Sequence, residues 1–297
     1  LENFFHRFCR GFNCLHHRFV RYPFQVRSPG SSVARCYKIG AGSFVDIRPA
    51  DTAAVTGGWK LIMIKGIADH RSILRFENVK LVTEQGGGGE TIDLEMNLFG
   101  GDLALINLER PRFGSMLADA CCGLHPAAEG SIFFLGKDWS ALPSDTANAL
   151  RGRIGRVFTF GNWINRLTLL ENILLPQLHH TRREFAELRD EAVRLAEHFG
   201  LPGLPTGLPD HVMRTDHQRA ACIRAFLGQP ELILLEEPTF GVYPEILPPL
   251  INAIRKACDR GSGVIWLTME DRVWNDPTLP VTHRYRLTAR KLMEVAL

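Results

Sequence analysis

The stretch from Gln218 to Thr239, QRAACIRAFLGQPELILLEEPT, constrains the fold more than any other part of the chain. From Gln218 to Leu227, apolar Ala221, Cys222, Ala225 and Phe226 recur at helical spacing with Arg219 and Arg224 between them, so one face packs and the other is expected to stay wet. Gly228 and Pro230 stop that helix. Leu232–Leu235 is a continuous apolar run, too short for a free helix and expected of a strand covered on both faces of a parallel sheet. Ligands gather at the carboxyl ends of such strands. There Glu236 and Glu237 stand side by side, on a backbone whose alternation turns one toward Mg2+ and the other toward a water to be polarised. A solvated strand end is the plainer reading of the same pair.

In its order of helix, turn, strand and acidic pair, the block resembles the signature helix, Walker B strand and D-loop of ABC transporter ATPase subunits. The resemblance extends over most of the chain from Ile73. Phe76–Val82 corresponds to the first strand, Gly86 to Gly89 to a hairpin turn and Thr91–Leu98 to an alternating second strand. Gly101–Ile106 enters the P-loop position, Cys122–Ile132 matches the turn after its helix, Phe134–Ser140 the strand beyond and Ile154–Phe158 the Q-loop strand. Leu167–Ile173 is similar to the family's entry into a helical region, Glu184–Phe199 alternates at helical spacing, and Leu201–Pro209 is a Pro/Gly-rich loop within it. Ile246–Asp259 is read as a helix, Gly263–Thr268 as the next strand and His283–Val295 as a terminal strand pair. The resemblance implies an α/β fold: a P-loop NTPase (RecA-like) core, an antiparallel β lobe and an inserted helical subdomain at about 162–222.

It also implies ATP and Mg2+, yet the residues that hold them in the family are largely replaced. A P-loop needs G-x-x-x-x-G-K-[ST], because bare glycines let N–H groups wrap the phosphates, the lysine neutralises them and the hydroxyl holds the metal. With the register set by the distance to Gly123, the aligned residues are Leu108, Glu109, Arg110, Pro111, Arg112, Phe113, Gly114 and Ser115. Gly114 falls at the lysine and Ser115 at the metal ligand. Pro111 lacks an N–H, Phe113 crowds the loop, and Glu109 is expected to bring like charge near a phosphate. Arg110 or Arg112 remains as a substitute cation, without the geometry of a lysine.

Thr159 aligns with the Q-loop glutamine and Met269 with the switch histidine. The signature Leu-Ser-Gly-Gly-Gln aligns with Val212, Met213, Arg214, Thr215 and Asp216, with Thr215 left as a helix cap. Near Thr83, where the family stacks an aromatic on adenine, none is found. Glu236 replaces the usual Walker B Asp, and Glu237 stands at the catalytic base. Phe240–Pro244 resembles the Gly-x-Asp-Pro D-loop of phospholipid-trafficking ABC ATPases of the mammalian-cell-entry type, with Tyr243 at the Asp.

At 297 residues and 45% hydrophobic, the chain can bury one substantial core or two modest ones. No apolar run reaches the roughly 18–20 residues that span a bilayer. The resemblance therefore implies a separate membrane permease subunit, a second ATPase subunit that is the same chain or a paralogue, and a cytoplasmic, peripheral position on the inner face of the cell membrane. A net charge of +3, with no basic stripe interleaved with aromatics after Met63, argues against nucleic acid. Of seven cysteines, neighbouring Cys121 and Cys122 cannot pair on one helix, which fits a reducing compartment.

Leu1–Ile62 is rich in Phe, Arg and His, poor in acids and without methionine. It is expected to be disordered or an extension outside the native protein, with an ABC-type domain at 63–297. An Arg-rich transit peptide and a zinc site of Cys9, Cys14, His16 and His17 are alternatives that lack an amphipathic helix and standard ligand spacing.

Three functional expectations follow. The first is a scaffold or regulatory ATP-binding subunit with weak or no hydrolysis, docked on its permease beside Trp163. The second is an active ATPase with a rebuilt site, where Ser115, Glu236 and Glu237 bind Mg2+ and Arg112 replaces the lysine. The third is a soluble regulatory module without a permease.

Overall fold

A computed structural model describes residues 71–83, 91–243 and 245–296, together with the backbone of three strands within 35–64. The chain divides into two units, Leu1–Ala68 and Asp69–Leu297. In the first, β1 (Arg35–Lys38), β2 (Phe44–Pro49) and β3 (Trp59–Ile64) form an antiparallel sheet in the order β1-β2-β3. The rest of the segment read as an extension, including Cys9, Cys14, His16 and His17, lies outside the described residues.

The second unit carries two sheets. β4 (Ser72–Val82), β5 (Thr91–Phe99), β7 (Glu129–Phe134) and β8 (Lys137–Asp138) form an antiparallel lobe in the order β5-β4-β7-β8. β5 alternates buried and exposed residues as a half-covered strand must. The turn read at Gly86 to Gly89 lies outside the described residues, but Val82 pairs with Thr91 as that hairpin requires. β4 carries an irregularity between Phe76 and Val79, where Asn78 takes φ +49. Gly130 faces it, and a Cβ there would meet the Asn78 carbonyl oxygen at 2.3 Å.

The core sheet has the order β13-β12-β6-β11-β10-β9, from β6 (Leu103–Leu108), β9 (Ile154–Val157), β10 (Leu232–Glu236), β11 (Gly263–Thr268), β12 (His283–Leu287) and β13 (Leu292–Val295). β12, β6, β11, β10 and β9 run parallel and β13 closes the edge antiparallel. Every residue of β10 and β11 is buried, the signature of strands covered on both faces. On one face lie α1 (Pro111–Cys121) and the β lobe, joined to β9 by α2 (Ser144–Arg151). On the other lie α6 (Leu247–Asp259), α7 (Asp271–Trp274) and a three-helix insertion.

That insertion consists of α3 (Leu169–His180), α4 (Phe185–His198) and α5 (Arg214–Phe226). Thr168 and Glu171 form a reciprocal capping box at the start of α3. Buried Asn172 ties down the loop before it, bonding Ile164, Leu167 and Thr168. α5 comes close to the sheet at Gly155, where a Cβ would sit 1.8 Å from the Ala225 carbonyl oxygen. Thr215 does not cap α5: it lies inside the first turn, with Met213 at the N-cap and no side-chain bond. Among the described residues, no helix is long and apolar enough to cross a membrane.

Candidate functional site

The carboxyl ends of β6, β10 and β11 open on one crevice. In a phosphate-wrapping loop the residues between strand and helix turn their N–H groups inward on an anion. Here only Glu109 and Arg110 separate β6 from α1, and Pro111, Arg112 and Phe113 already form the first turn of the helix. Pro111 suits that turn, since its fixed φ is helical and it has no N–H to satisfy. Phe113 is fully buried in the core beneath the β lobe with Leu108 and Leu117. A Cβ on Gly114 would meet Leu108 Cδ1 at 2.9 Å.

The cations expected to substitute for the lysine do not enter the crevice. Arg110 and Arg112 lie over the Phe113 ring, 5.7 and 5.5 Å from its centroid. Glu109 also differs from expectation. Its carboxylate accepts the Ala289 N–H at 2.9 Å, and its own N–H donates to the Leu287 carbonyl at 3.0 Å, so it fastens β6 to the turn after β12.

At the end of β10 the chain brings together Ser115, Thr159 and Glu236, three of the residues read as ligands. Ser115 Oγ donates to Glu236 Oε2 at 2.8 Å, and Thr159 Oγ1 donates to the same oxygen at 3.3 Å. The other oxygen, Oε1, accepts from Arg156 Nε at 2.6 Å. Arg156 Nη1 reaches Asp119 Oδ1 at 2.6 Å, and Nη2 approaches the Ser115 carbonyl at 3.5 Å. The Arg156 and Glu236 side chains are 8% and 2% exposed, so this pair is desolvated and holds together by charge and hydrogen bonding. Burial works against the Arg156 charge, but Glu236 and Asp119 outweigh it and hold its pKa above the usual value.

Glu237 leaves the strand with φ +46, a left-handed conformation that costs a non-glycine residue about 1–3 kcal/mol. Its carbonyl accepts from Gln218 Nε2 at 3.1 Å, and its carboxylate accepts from Thr268 Oγ1 at 2.9 Å and from the Met269 N–H. Burial raises its pKa against those bonds, and nearby Glu270 adds to the rise. Glu270 is itself held by Arg272 at 2.8 and 2.9 Å.

Behind Thr159, the stretch 158–163 is fixed by Arg224 of α5. Its guanidinium lies 4.3 Å from the Trp163 ring and 5.3 Å from that of Phe158, and it donates to the carbonyls of Gly161 and Asn162. The wet helix face read at Arg224 is therefore wrong at that residue: burial pushes its pKa down to about 10. Phe158 also stacks on Arg156, 4.3 Å away, so the two guanidinium groups share one ring.

The crevice that remains encloses about 270 Å³. Leu108, Pro111, Phe160, Phe240, Leu267 and Met269 give it apolar walls, and Glu236, Glu237 and Glu270 supply its charge. Arg112 is not among its lining residues. Arg156, Asp119 and Arg224 are the residues that sequence reasoning missed. The one local signal was an arginine inside the short stretch read as the Q-loop strand.

The ABC transporter family model matches residues 114–240, beginning just past the segment that α1 absorbs. The lipoprotein-releasing system ATP-binding protein LolD of Pseudomonas syringae pv. tomato is 30% identical over 172 residues, 57% of this chain and 75% of LolD. The glutamate/aspartate import ATP-binding protein GltL of Escherichia coli K12 is 29% identical over 156 residues, 52% of this chain and 64% of GltL. Among solved structures, the ATP-binding cassette MJ0796 in a dimeric post-hydrolysis state bound to ADP and Pi superposes with a TM-score of 0.66 at 20% identity, over 76% of this chain and 99% of that one. The likeness to MJ0796 establishes a P-loop NTPase fold, and the match across three quarters of LolD makes this chain a member of the ABC transporter ATP-binding family.

Proposed function

We propose that this chain is a degenerate ATP-binding-type subunit of an ABC transporter, a scaffold or regulatory partner with weak or no ATP hydrolysis. It docks on a membrane permease beside a second ATPase subunit, at the inner face of the cell membrane. The unit 69–297 serves as its nucleotide-binding-type domain, with the helical insertion around Trp163 facing the permease. LolD and GltL are by name the ATP-binding proteins of a releasing and an import system, which supports a transport setting. The lipid class we assign to the cargo rests on the Phe240–Pro244 stretch, with Leu170–Pro176 and His180–Arg182 beside it.

The observation that carries the reading is the helical conformation of Pro111–Phe113, with the Phe113 ring in the core. The family's ATP and Mg2+ do not fit the residues as they stand. The backbone that would wrap a phosphate is the first turn of α1, no lysine follows it, and both oxygens of Glu236 are taken by side chains of this chain. Losing one charge-assisted contact alone costs about 1.5–3 kcal/mol, one to two decades of affinity. The rebuilt-site alternative would need Arg112 to leave the Phe113 ring and Glu236 to give up Arg156.

Calorimetric titration of the full chain with MgATP to millimolar concentration tests the reading, with Ser115→Ala as control. No heat and no phosphate release is the expected outcome. Micromolar binding that depends on Ser115, or turnover abolished by Glu237→Gln, would instead establish the active ATPase.

A further inference from the structure

A hard divalent cation is held by oxygen ligands, typically carboxylates with hydroxyl or carbonyl oxygens beside them. Asp119, Ser115, Thr159 and Glu236 are such a set, and Ser115 and Asp119 stand one turn apart on α1, so both face the end of β10. Between the two carboxylates lies a guanidinium, on the Oε1 side of Glu236, while the Ser115 and Thr159 hydroxyls bond Oε2. Arg156 spans the two carboxylates with 2.6 Å bonds to each, lies 3.5 Å from the Ser115 carbonyl, and has the Phe158 ring against it at 4.3 Å. The planar fork is held from four sides, an arrangement that an arginine can satisfy and a lysine cannot.

We propose that Arg156 is a built-in cation occupying the place of a divalent metal, so that the native chain takes no Mg2+ or Mn2+ at Glu236 and removal of the guanidinium uncovers a latent metal site. The inference deepens the reading of a subunit that does not turn over ATP, because it names what neutralises the strand end in place of nucleotide and metal. It also gives the site a fixed state. The carboxylate that in a working site would be satisfied only when loaded is satisfied here at all times, whatever the surrounding metal concentration.

The test uses the full chain without nucleotide and follows free Mn2+ by its electron paramagnetic resonance signal. Native protein and Glu236→Gln are expected to show the same weak background. Arg156→Met is expected to bind Mn2+ roughly tenfold or more tightly, and Arg156→Met/Glu236→Gln to return to background. Native binding that Glu236→Gln abolishes would overturn the proposal, as would a folded Arg156→Met with native Mn2+ affinity. If Arg156→Met does not fold, the comparison of native protein with Glu236→Gln still decides, since equal binding supports the built-in cation and Glu236-dependent binding sinks it. ATP turnover is read in the same preparations. Turnover by native protein would overturn the proposed function, while the metal titration without nucleotide judges the guanidinium separately.

Discussion

The turn after β6 and the end of β10 lie side by side on the same crevice, and in the function proposed above they depart from a nucleotide site in opposite ways. At the first, helix and apolar side chain occupy the turn: Pro111 opens α1 and Phe113 fills the space beneath it. At the second, the polar groups are kept and turned on one another, with Glu236 bound by Arg156, Ser115 and Thr159. Filling by hydrophobic burial adds stability and cannot be undone by one residue. Pairing buried charges adds little net stability, because desolvation offsets most of the attraction, and it leaves each charge dependent on the other. The two halves should therefore respond differently to mutation.

The largest effect is expected where a charge is stranded. Arg156→Met leaves Glu236, 2% exposed, without its counter-ion, and should cost about 3–5 kcal/mol in urea unfolding. Adding Glu236→Gln should recover part of that loss, a coupling that a double-mutant cycle reads directly. If the two losses simply added, the strand end would be held by packing and the contrast with α1 would fail. Phe113→Ala comes next, at about 3–4 kcal/mol, because it removes a fully buried ring and leaves a cavity in its place. No second substitution nearby should rescue it.

These two residues also mark how far the sequence could be read. Apolar runs and helical periodicity located β10, β11, α5 and α6 to within a few residues, since burial on both faces of a parallel sheet leaves a continuous local pattern. The fixed distance to Gly123 placed Ser115 opposite Glu236. The fate of the loop was legible too. Pro111 followed by Phe113 and Leu117 at i, i+4 spacing is a helix start, but the segment was read as a spoiled loop. Arg156 was harder. Its partners Asp119 and Glu236 are 37 and 80 residues away, and no local pattern announces a pairing of that range. Arg224 shows the same limit, since its place between Phe158 and Trp163 depends on how α5 meets the sheet at Gly155.

Placing a lysine at Gly114, the position aligned with the P-loop lysine, sharpens the contrast at smaller scale. Gly114→Lys puts a Cβ 2.9 Å from Leu108 Cδ1, within reach of a flexible side chain, so a cost of about 1–3 kcal/mol is expected. MgATP affinity by calorimetry should not rise, because a cation without a ring of inward N–H groups is half a phosphate site. A gain to micromolar affinity would mean that the first turn of α1 unwinds around nucleotide, and that the apolar half is as reversible as the charged one.

The smallest effect belongs to Glu237, whose pKa is raised by burial despite its bonds to Thr268 and Met269. A raised carboxyl pKa means that the folded state prefers the protonated form. Relative to a neutral side chain, ionised Glu237 therefore costs stability above its folded pKa, and that cost vanishes below the unfolded carboxyl range. Glutamine has the same shape, with an oxygen for the Met269 N–H and an amide for the Thr268 hydroxyl. Glu237→Gln should raise the melting temperature slightly at pH 7, and the gain should shrink toward zero as pH falls to about 4. A fall in stability at pH 7 would show that the Thr268 and Met269 bonds outweigh the burial of the Glu237 charge. The strand end would then hold two partnered carboxylates, and not one paired carboxylate beside one that is merely buried.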